Sequence, residues 1–283
     1  MTKSDSLVST AWLQERIDSD DSIVILEVSS DPSAEAAGGA EHVPGARFAF
    51  WKDLCWSDTD REFPSPELMA QRLSALGITD ESTIALVGDP VQYGTYAYWV
   101  LTMTGQESRT VLVDGGRSKW LAEGRHLEAA ASDVTEGRVT PGELDESSRI
   151  GRRGVLERLD DPNVLLLDVR SAEEYNGERV SPSWFEVDYG AERRGRIPGA
   201  THLYYGDLLR EDGTFQDPDE IEALLEQHSP SSESAETVTY CRLSHRATLA
   251  WFAFTRILDR SGVRVYDGSW TEWGSIVGYP IER

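Results

Sequence analysis

Cys241 lies in the stretch YCRLSHRATLAWF, residues 240–252, between a short β-branched run and an apolar, helix-like segment. A thiol becomes a strong nucleophile only as the thiolate, which positive surroundings stabilise. A helix after the loop would direct its N-terminus and the backbone N–H groups of residues 243–245 at the thiol. Arg242 and Arg246 add two full positive charges. The pattern therefore predicts a nucleophilic cysteine in a loop that attracts small anions.

The composition around this loop supports that interpretation. No Asp or Glu occurs from Thr237 to Leu258, in a chain that carries 50 of them in 283 residues. The alternative is that Cys241 is a small buried hydrophobic residue at a strand end. Cys55, in DLCWSD, has no flanking positive charge, which predicts a structural role. Cysteine phosphatases place five residues between cysteine and arginine, whereas four separate Cys241 from Arg246, so phosphatase chemistry is disfavoured.

The whole-chain composition excludes several classes of protein. A formal net charge of -23 argues against binding to nucleic acids or to anionic membranes. No apolar run is long enough to cross a bilayer, and the N-terminal segment lacks a signal-peptide core, so a cytoplasmic protein is expected. Two cysteines and five scattered histidines predict no metal site. The acidic surface with only three lysines leads to the hypothesis of a salt-adapted protein.

Two sets of landmarks recur along the chain at nearly the same spacing. EHVPGA at 41–46 is repeated as RIPGA at 196–200, and VDGGRSKW at 113–120 as YDGSWTEW at 266–273. Strand-like runs such as SIVILEV and NVLLLDV alternate with helix-like runs, which is typical of parallel sheets with crossover helices. The sequence therefore predicts an α/β fold of two tandem domains, each a mainly parallel sheet flanked by helices.

The same spacing fixes the predicted domain organisation. Residues 1–127 form an N-terminal domain, the polar segment 128–150 is the linker, and residues 151–283 form the C-terminal, catalytic domain. Superposing the halves places Asp89 opposite Cys241, so the first domain is predicted to be catalytically silent.

Taken together, these motifs resemble a tandem-domain rhodanese, in particular a thiosulfate sulfurtransferase, over essentially the whole chain. The resemblance is carried by CRLSHR, LDVRSAEEY, RIPGA and the closing YDGSWTEWGSIVGYPIE in the second half, and by HVPGA and DGGRSKWLAEGR in the first. It implies that Cys241 takes the outer sulfur of thiosulfate as a persulfide, releases sulfite, and passes the sulfur to cyanide or a thiol, without a cofactor. A protein acceptor is left open.

The resemblance also implies roles for individual residues. Basic residues after the cysteine favour thiosulfate, and the loop residues Arg242, Leu243, Ser244, His245 and Arg246 would bind the substrate. Asp168 and Arg170 would order the loop from a neighbouring strand end. Arg196 is the candidate for a substrate-binding arginine that some relatives carry near this point. His245 is expected to contribute through its backbone rather than as an acid or base.

Ser244 departs from the family pattern, which has glycine at this position. If the position requires a positive φ, the serine is strained there. Two alternatives stay open for the function: a sulfurtransferase acting on 3-mercaptopyruvate, and a non-enzymatic persulfide carrier or partner-binding module.

Overall fold

The computed structural model describes residues 6–19, 22–32, 41–129, 134–228 and 236–283. The chain divides into two compact units. The first contains Met1–Glu146 and Glu211–Phe215, and the second contains Ser147–Arg210 and Gln216–Arg283. Within the described ranges, no helix is long and apolar enough to cross a membrane.

A parallel sheet forms the centre of the first unit. Its strands are β1 (Leu7–Val8), β2 (Ile23–Ser29), β4 (Arg47–Phe50), β5 (Thr83–Asp89) and β6 (Thr110–Val113), in the order β1-β6-β5-β2-β4. The central strands β2 and β5 are almost entirely buried, which accounts for their largely apolar sequences, although β2 includes the buried Glu27. A separate antiparallel pair joins β3 (Glu41–His42) to β7 (Glu128–Ala129).

Helices connect and cover these strands. They are α1 (Thr10–Ile17), α2 (Trp51–Cys55), α3 (Pro66–Ala75), α4 (Val91–Met103) and α5 (Gly116–Ala122), with a 3-10 turn at Glu107–Arg109. The hydroxyl of Ser9 accepts a hydrogen bond from the Trp12 amide and so caps α1, and Ser65 caps α3 in the same way. Helix α4 is buried on nearly every side, so it forms part of the core.

The second unit repeats this plan. Its strands are β8 (Arg149–Ile150), β9 (Val164–Asp168), β10 (Thr201–His202), β11 (Glu236–Tyr240) and β12 (Val263–Tyr266), all parallel, in the order β10-β9-β11-β12-β8. When the strands of each sheet are renumbered along the chain, both sheets have the order first-fifth-fourth-second-third, with the second sheet read from the β8 edge. The tandem α/β fold with parallel sheets is therefore confirmed.

The helices of the second unit include those that follow the Cys241 loop and the DGS turn. They are α6 (Arg152–Leu156), α7 (Ala172–Tyr175), α8 (Pro218–His228), α9 (His245–Phe252) and α10 (Ser269–Trp273), with a 3-10 turn at Tyr205–Leu208 and a π-helical turn at Ala253–Ile257. Every residue of α9 is buried. Trp270 and Trp273 of α10 pack with Tyr240 and Tyr266 in the core beneath the C-terminal end of β11.

The predicted linker, 128–150, includes residues 130–133, which lie outside the described residues. The part from 134 to 146 packs on the first unit: the Gly137 amide donates to Ser74 O (2.8 Å) and the Asp145 amide to Met103 O (2.8 Å). The predicted domain bounds stay a prediction.

Candidate active site

Cys241 is the first residue after β11, and a four-residue turn, Cys241–Ser244, separates that strand from α9. The strand forms because Thr237–Tyr240 are β-branched or aromatic residues that pair with β9 and β12. The thiol is placed at the carboxyl edge of a parallel sheet, where α/β proteins build their sites. Only 1% of the Cys241 surface is exposed.

The N-terminal turn of α10 fixes the backbone of this loop. The Cys241 amide donates to Ser269 Oγ (3.2 Å), and Cys241 O accepts from the Trp270 amide (2.9 Å). Arg242 O accepts from both the amide and the hydroxyl of Thr271, at 3.1 and 2.7 Å. The loop is therefore held from two sides, by α9 and by the start of α10.

This arrangement decides which amides remain for a bound sulfur anion. The Cys241 amide is taken by Ser269, and the His245 amide donates to Leu243 O (3.1 Å). Among the described residues, the amides of Arg242, Leu243 and Ser244 donate to no protein acceptor. The Leu243 and Ser244 amides belong to the predicted nest of residues 243–245, whereas the Arg242 amide was not predicted. That these N–H groups bind an anion stays a prediction.

Ser244 has a φ of 73°, in the left-handed region that favours glycine. A non-glycine residue costs about 1–2 kcal/mol there. The Ser244 hydroxyl compensates by donating to Asp267, whose backbone O and Oδ1 both lie within reach, the latter at 2.8 Å. A serine is therefore accommodated because its side chain has a buried acceptor close by.

Arg246, one of the two predicted anion-binding arginines, is committed to an ion pair. Its Nη1 and Nη2 donate to Glu174 Oε2 (2.6 Å) and Oε1 (2.9 Å), and both side chains are nearly inaccessible. Burial alone would lower the pKa of Arg246, but the hydrogen bonds and charge of Glu174 outweigh it and the pKa lies above its ordinary value. Arg246 is thus a fixed, largely neutralised cation beside the loop.

Arg242, the other predicted arginine, is held differently. Its guanidinium carbon lies 4.8 Å from the ring centre of Tyr189 and 5.2 Å from that of Phe185, and its Nε donates to Tyr189 O (3.2 Å). Among the described residues, Nη1 and Nη2 of Arg242 donate to no acceptor, and no carboxylate pairs with them. A free guanidinium edge is therefore available next to Cys241 in the chain.

Asp168 and Arg170 meet under the loop, at the end of β9. Arg170 Nε and Nη2 donate to the Asp168 carboxylate at 2.9 and 2.6 Å, and Nη2 also donates to Gly195 O (2.8 Å). Burial lowers the pKa of Arg170, but the charge of Asp168 more than reverses this. Tyr240, directly before Cys241, donates its hydroxyl proton to Asp168 Oδ2 (2.7 Å). The pair reaches Cys241 through Tyr240, which is consistent with an ordering role.

Arg196 lies at a different place in the second unit. Its guanidinium carbon is 4.5 Å from the ring centre of Tyr175, and its Nη2 pairs with Glu282 near the end of the chain. None of its described contacts is with the Cys241 loop. A substrate contact by Arg196 stays a prediction.

Three residues at the loop were not singled out from the sequence. Glu174 completes the capping box of α7, where its carboxylate accepts from the Ser171 amide. The capping role accounts for Glu174 in the sequence, so its ion pair with Arg246 was not predicted. Ser269 takes a φ of 51°. Tyr205 has its ring centre 5.8 Å from the Arg246 guanidinium carbon. Burial raises the pKa of Tyr205, and the neighbouring Tyr204 raises it further, so the phenol stays protonated.

Asp89, the predicted counterpart of Cys241, ends β5 in the first unit. Its Oδ2 lies 3.4 Å from Arg117 Nη1, and Arg117 Nε lies 3.7 Å from the buried carboxylate of Glu27. Glu27 also pairs with His42 Nδ1 at 2.9 Å. Over the described part of the chain, no group of three or more His, Cys, Asp or Glu side chains could hold a metal ion.

Known proteins resemble this chain over its full length. The family model described as the rhodanese-like domain matches residues 153–276. The "Sulfur carrier protein TtuD" of Thermus thermophilus is 36% identical over 281 residues, which cover 98% of this chain and 96% of that protein. The chain belongs to the rhodanese family. A "Putative thiosulfate sulfurtransferase" of Saccharopolyspora erythraea is 34% identical, over 100% of this rhodanese and 98% of that protein. A relative of the same name from Haloferax volcanii is 33% identical, over 99% of this rhodanese and 96% of that protein.

Solved structures agree with this family. A 3-mercaptopyruvate sulfotransferase of Escherichia coli superposes with a TM-score of 0.75 at 26% identity, covering 95% of this chain and 99% of that one. The wild-type structure of EanB superposes with a TM-score of 0.78 at 23% identity, covering 98% of this chain and 69% of that one, which shows the shared fold. The rhodanese fold of this chain supports sulfur transfer.

Proposed function

We propose that this rhodanese moves the outer sulfur of thiosulfate to a thiol or cyanide acceptor through a persulfide on Cys241. The observation that carries the proposal is a buried cysteine followed directly in the chain by Arg242, whose Nη1 and Nη2 have no acceptor among the described residues, in a loop with three amides that donate to no described protein acceptor. A small dianion suits this surrounding, because the charge-assisted hydrogen bonds replace those it loses from water. The names of the full-length relatives support the same donor.

The chemistry balances without an added oxidant or cofactor. The Cys241 thiolate attacks the outer sulfur of thiosulfate, an S–S bond forms to Cys241, and the original S–S bond breaks. Sulfite leaves with the bonding electron pair. The terminal persulfide sulfur is then anionic, and the open amides of the loop stabilise it as they would the thiolate. An incoming thiolate takes that sulfur and restores the Cys241 thiolate.

Two other functions give different results with the same protein. A 3-mercaptopyruvate sulfurtransferase would use that keto acid in preference to thiosulfate, and the Escherichia coli structural relative motivates the comparison. A sulfur carrier would accept sulfur only from a protein donor, and the Thermus thermophilus relative bears such a name. Steady-state rates with thiosulfate and 3-mercaptopyruvate, measured as kcat/KM, separate the two enzymes from each other. A protein inert to both small donors would favour the carrier.

Intact-mass measurement after exposure to thiosulfate tests the covalent step. The parent should gain about 32 Da, one sulfur atom, as covalent catalysis requires. Cys241→Ser should gain nothing. Cys55→Ser is the matched control and should load like the parent, because Cys55 is fully buried and burial raises the pKa of its thiol. Loading of Cys241→Ser, or failure of the parent to load, would overturn the proposal.

A further inference from the structure

The segment that follows Val180 builds an aromatic cage around Arg242. Phe185 and Tyr189 place their rings 5.2 and 4.8 Å from its guanidinium carbon, with 5.6 Å between the two ring centres. Gly190 completes the cage: a Cβ added there would come within 2.6 Å of Arg242 Nε. The φ of 122° at Gly190 is itself one that glycine adopts readily. We call Phe185, Tyr189 and Gly190 the Arg242 cage.

The segment that carries the cage has its own internal frame. Asp188 Oδ1 accepts from the amides of Val180 (2.8 Å) and Ser181 (3.1 Å). Arg179 donates from Nη2 to Phe185 O (3.0 Å) and from Nε to Ser181 O (3.2 Å). The segment is thus held by hydrogen bonds of its own in addition to the one that Tyr189 O accepts from Arg242 Nε. A cage of this kind is formed in advance of any ligand.

The two arginines of the loop contrast in what they leave available. The Arg246 guanidinium donates bidentately to Glu174. Arg242 is held by ring faces and by one carbonyl, which orient a guanidinium without neutralising its charge. The chain as a whole is strongly acidic, with a formal net charge of -23. Arg242 is therefore the loop cation whose charge a small anion can use.

We infer that the Arg242 cage determines donor specificity by fixing a free guanidinium beside Cys241, so that anionic sulfur donors bind more tightly than neutral ones. Phe185, Tyr189 and Gly190 act through Arg242 and are positioning residues. The inference deepens the proposed function, since it assigns the recognition of the donor's charge to this cage.

Direct binding tests the cage without sulfur transfer. In full-length Cys241→Ser protein, the affinity for thiosulfate is measured by calorimetric titration at constant ionic strength. Arg242→Gln should weaken the affinity by about 10- to 100-fold, as expected for hydrogen bonds to a charged group. Phe185→Leu with Tyr189→Leu should weaken it by about 3- to 10-fold through loss of the cation–π contacts. Arg242→Lys should fall between them, because lysine keeps the charge but not the planar fork.

Trp184→Leu is the matched control. Trp184 is an exposed aromatic residue of the same segment. Its ring contacts Phe185, but none of its described contacts is with the Arg242 guanidinium. The affinity of this variant for thiosulfate should therefore stay within about twofold of the parent's. In protein with Cys241 present, the cage variants should raise KM for thiosulfate. The rate at which Cys241 attacks a neutral organic trisulfide, forming a mixed disulfide and releasing the organic persulfide anion, should be unchanged in them.

Two results would overturn the inference: parent-like thiosulfate affinity in the double cage variant, or an equal loss with thiosulfate and the neutral trisulfide. If the double variant does not fold, judged by near-ultraviolet circular dichroism, parent-like affinity in Arg242→Lys would also contradict the cage. Failure of the proposed function is distinguishable, since a protein that binds thiosulfate through Arg242 but gains no mass would refute sulfur transfer and leave the cage standing.

Discussion

The first and second units differ most at the junction between the central strand and the following helix. In the first unit Pro90 alone separates β5 from α4, whereas Cys241–Ser244 separate β11 from α9. One residue cannot form a concave turn of amides, and proline has no N–H to contribute. The two units thus share a strand order but differ in this junction, and only the longer junction offers consecutive amides that an anion could contact.

The short turns after the last strand of each unit share a positive φ at one matching position but differ in the side chain there. Gly116 has a φ of 55° and Ser269, the third residue of the matching DGS motif, has a φ of 51°. A Cβ on Gly116 would overlap the carbonyl oxygen of Gly88. In the second unit the matching position carries Ser269, whose hydroxyl oxygen accepts a hydrogen bond from the Cys241 amide. Ser269 therefore holds the Cys241 loop in the second unit. The first unit has glycine at the matching position and no such loop.

The largest expected difference between the units concerns sulfur loading. Asp89→Cys in the Cys241→Ser background should gain no mass with thiosulfate, because Pro90 leaves no amide nest and Glu27 adds negative charge near Arg117. Intact-mass measurement checks this. A gain of one sulfur atom would show that the strand end alone suffices, and the comparison of junctions would fail.

Ion pairs at the two junctions should differ in stability. Glu174→Gln leaves Arg246 buried without its counter-charge and should cost about 3–5 kcal/mol of unfolding free energy. Arg117→Gln removes a cation that is about a quarter exposed and should cost about 1 kcal/mol or less. Urea unfolding at fixed salt measures both. Equal losses would mean that the buried pair is not special to the second unit.

Exchanging the two turn residues should also give unequal costs. Gly116→Ser should destabilise the protein by about 2–4 kcal/mol, since a left-handed φ and overlap with Gly88 add together. Ser269→Gly relieves φ but removes the acceptor of the Cys241 amide, so it should change stability by about 1 kcal/mol or less while slowing persulfide formation. Thermal unfolding and mass-detected loading measure the two effects. A parent-like loading rate in Ser269→Gly would contradict the role of the hydroxyl.

The smallest expected effect is an acid sensitivity at Asp80, in the first unit. The hydroxyl and amide of Thr140, followed by Arg109, lower the pKa of Asp80 to about 2. A carboxylate with a lowered folded pKa contributes stability above its unfolded pKa near 4 and loses it as the pH falls toward 2. Protection of the Thr140 amide from hydrogen exchange should therefore decline over that range. Asp80→Asn should remove the pH dependence, and an unchanged profile would contradict this assignment.

The parts that the sequence predicted are those set by local pattern or by repetition. The recurring DG and PGA motifs predicted the tandem parallel sheets, and the cysteine after β11 with its following helix predicted the loop. The positive φ at Ser244 is the one that a family glycine would imply. These features depend on residues that are neighbours in the chain or are repeated along it.

The contacts that the sequence did not reveal join distant segments. Glu174 lies 72 residues from Arg246, and its spacing from Ser171 is fully explained by a capping box. Phe185 and Tyr189 occur in an irregular segment with no period, so nothing in the sequence links them to Arg242. Which of two arginines is neutralised depends on such pairing. Charge counts alone could not assign it.

The burial of Cys241 bears on the persulfide that we propose. Only 1% of the residue is exposed, so a sulfur atom bound there would be largely shielded from solvent. We expect such shielding to slow the loss of the sulfur to bulky oxidants more than its transfer to a small acceptor thiol. Retention of the bound sulfur and the choice of acceptor would then both depend on the burial of the thiol.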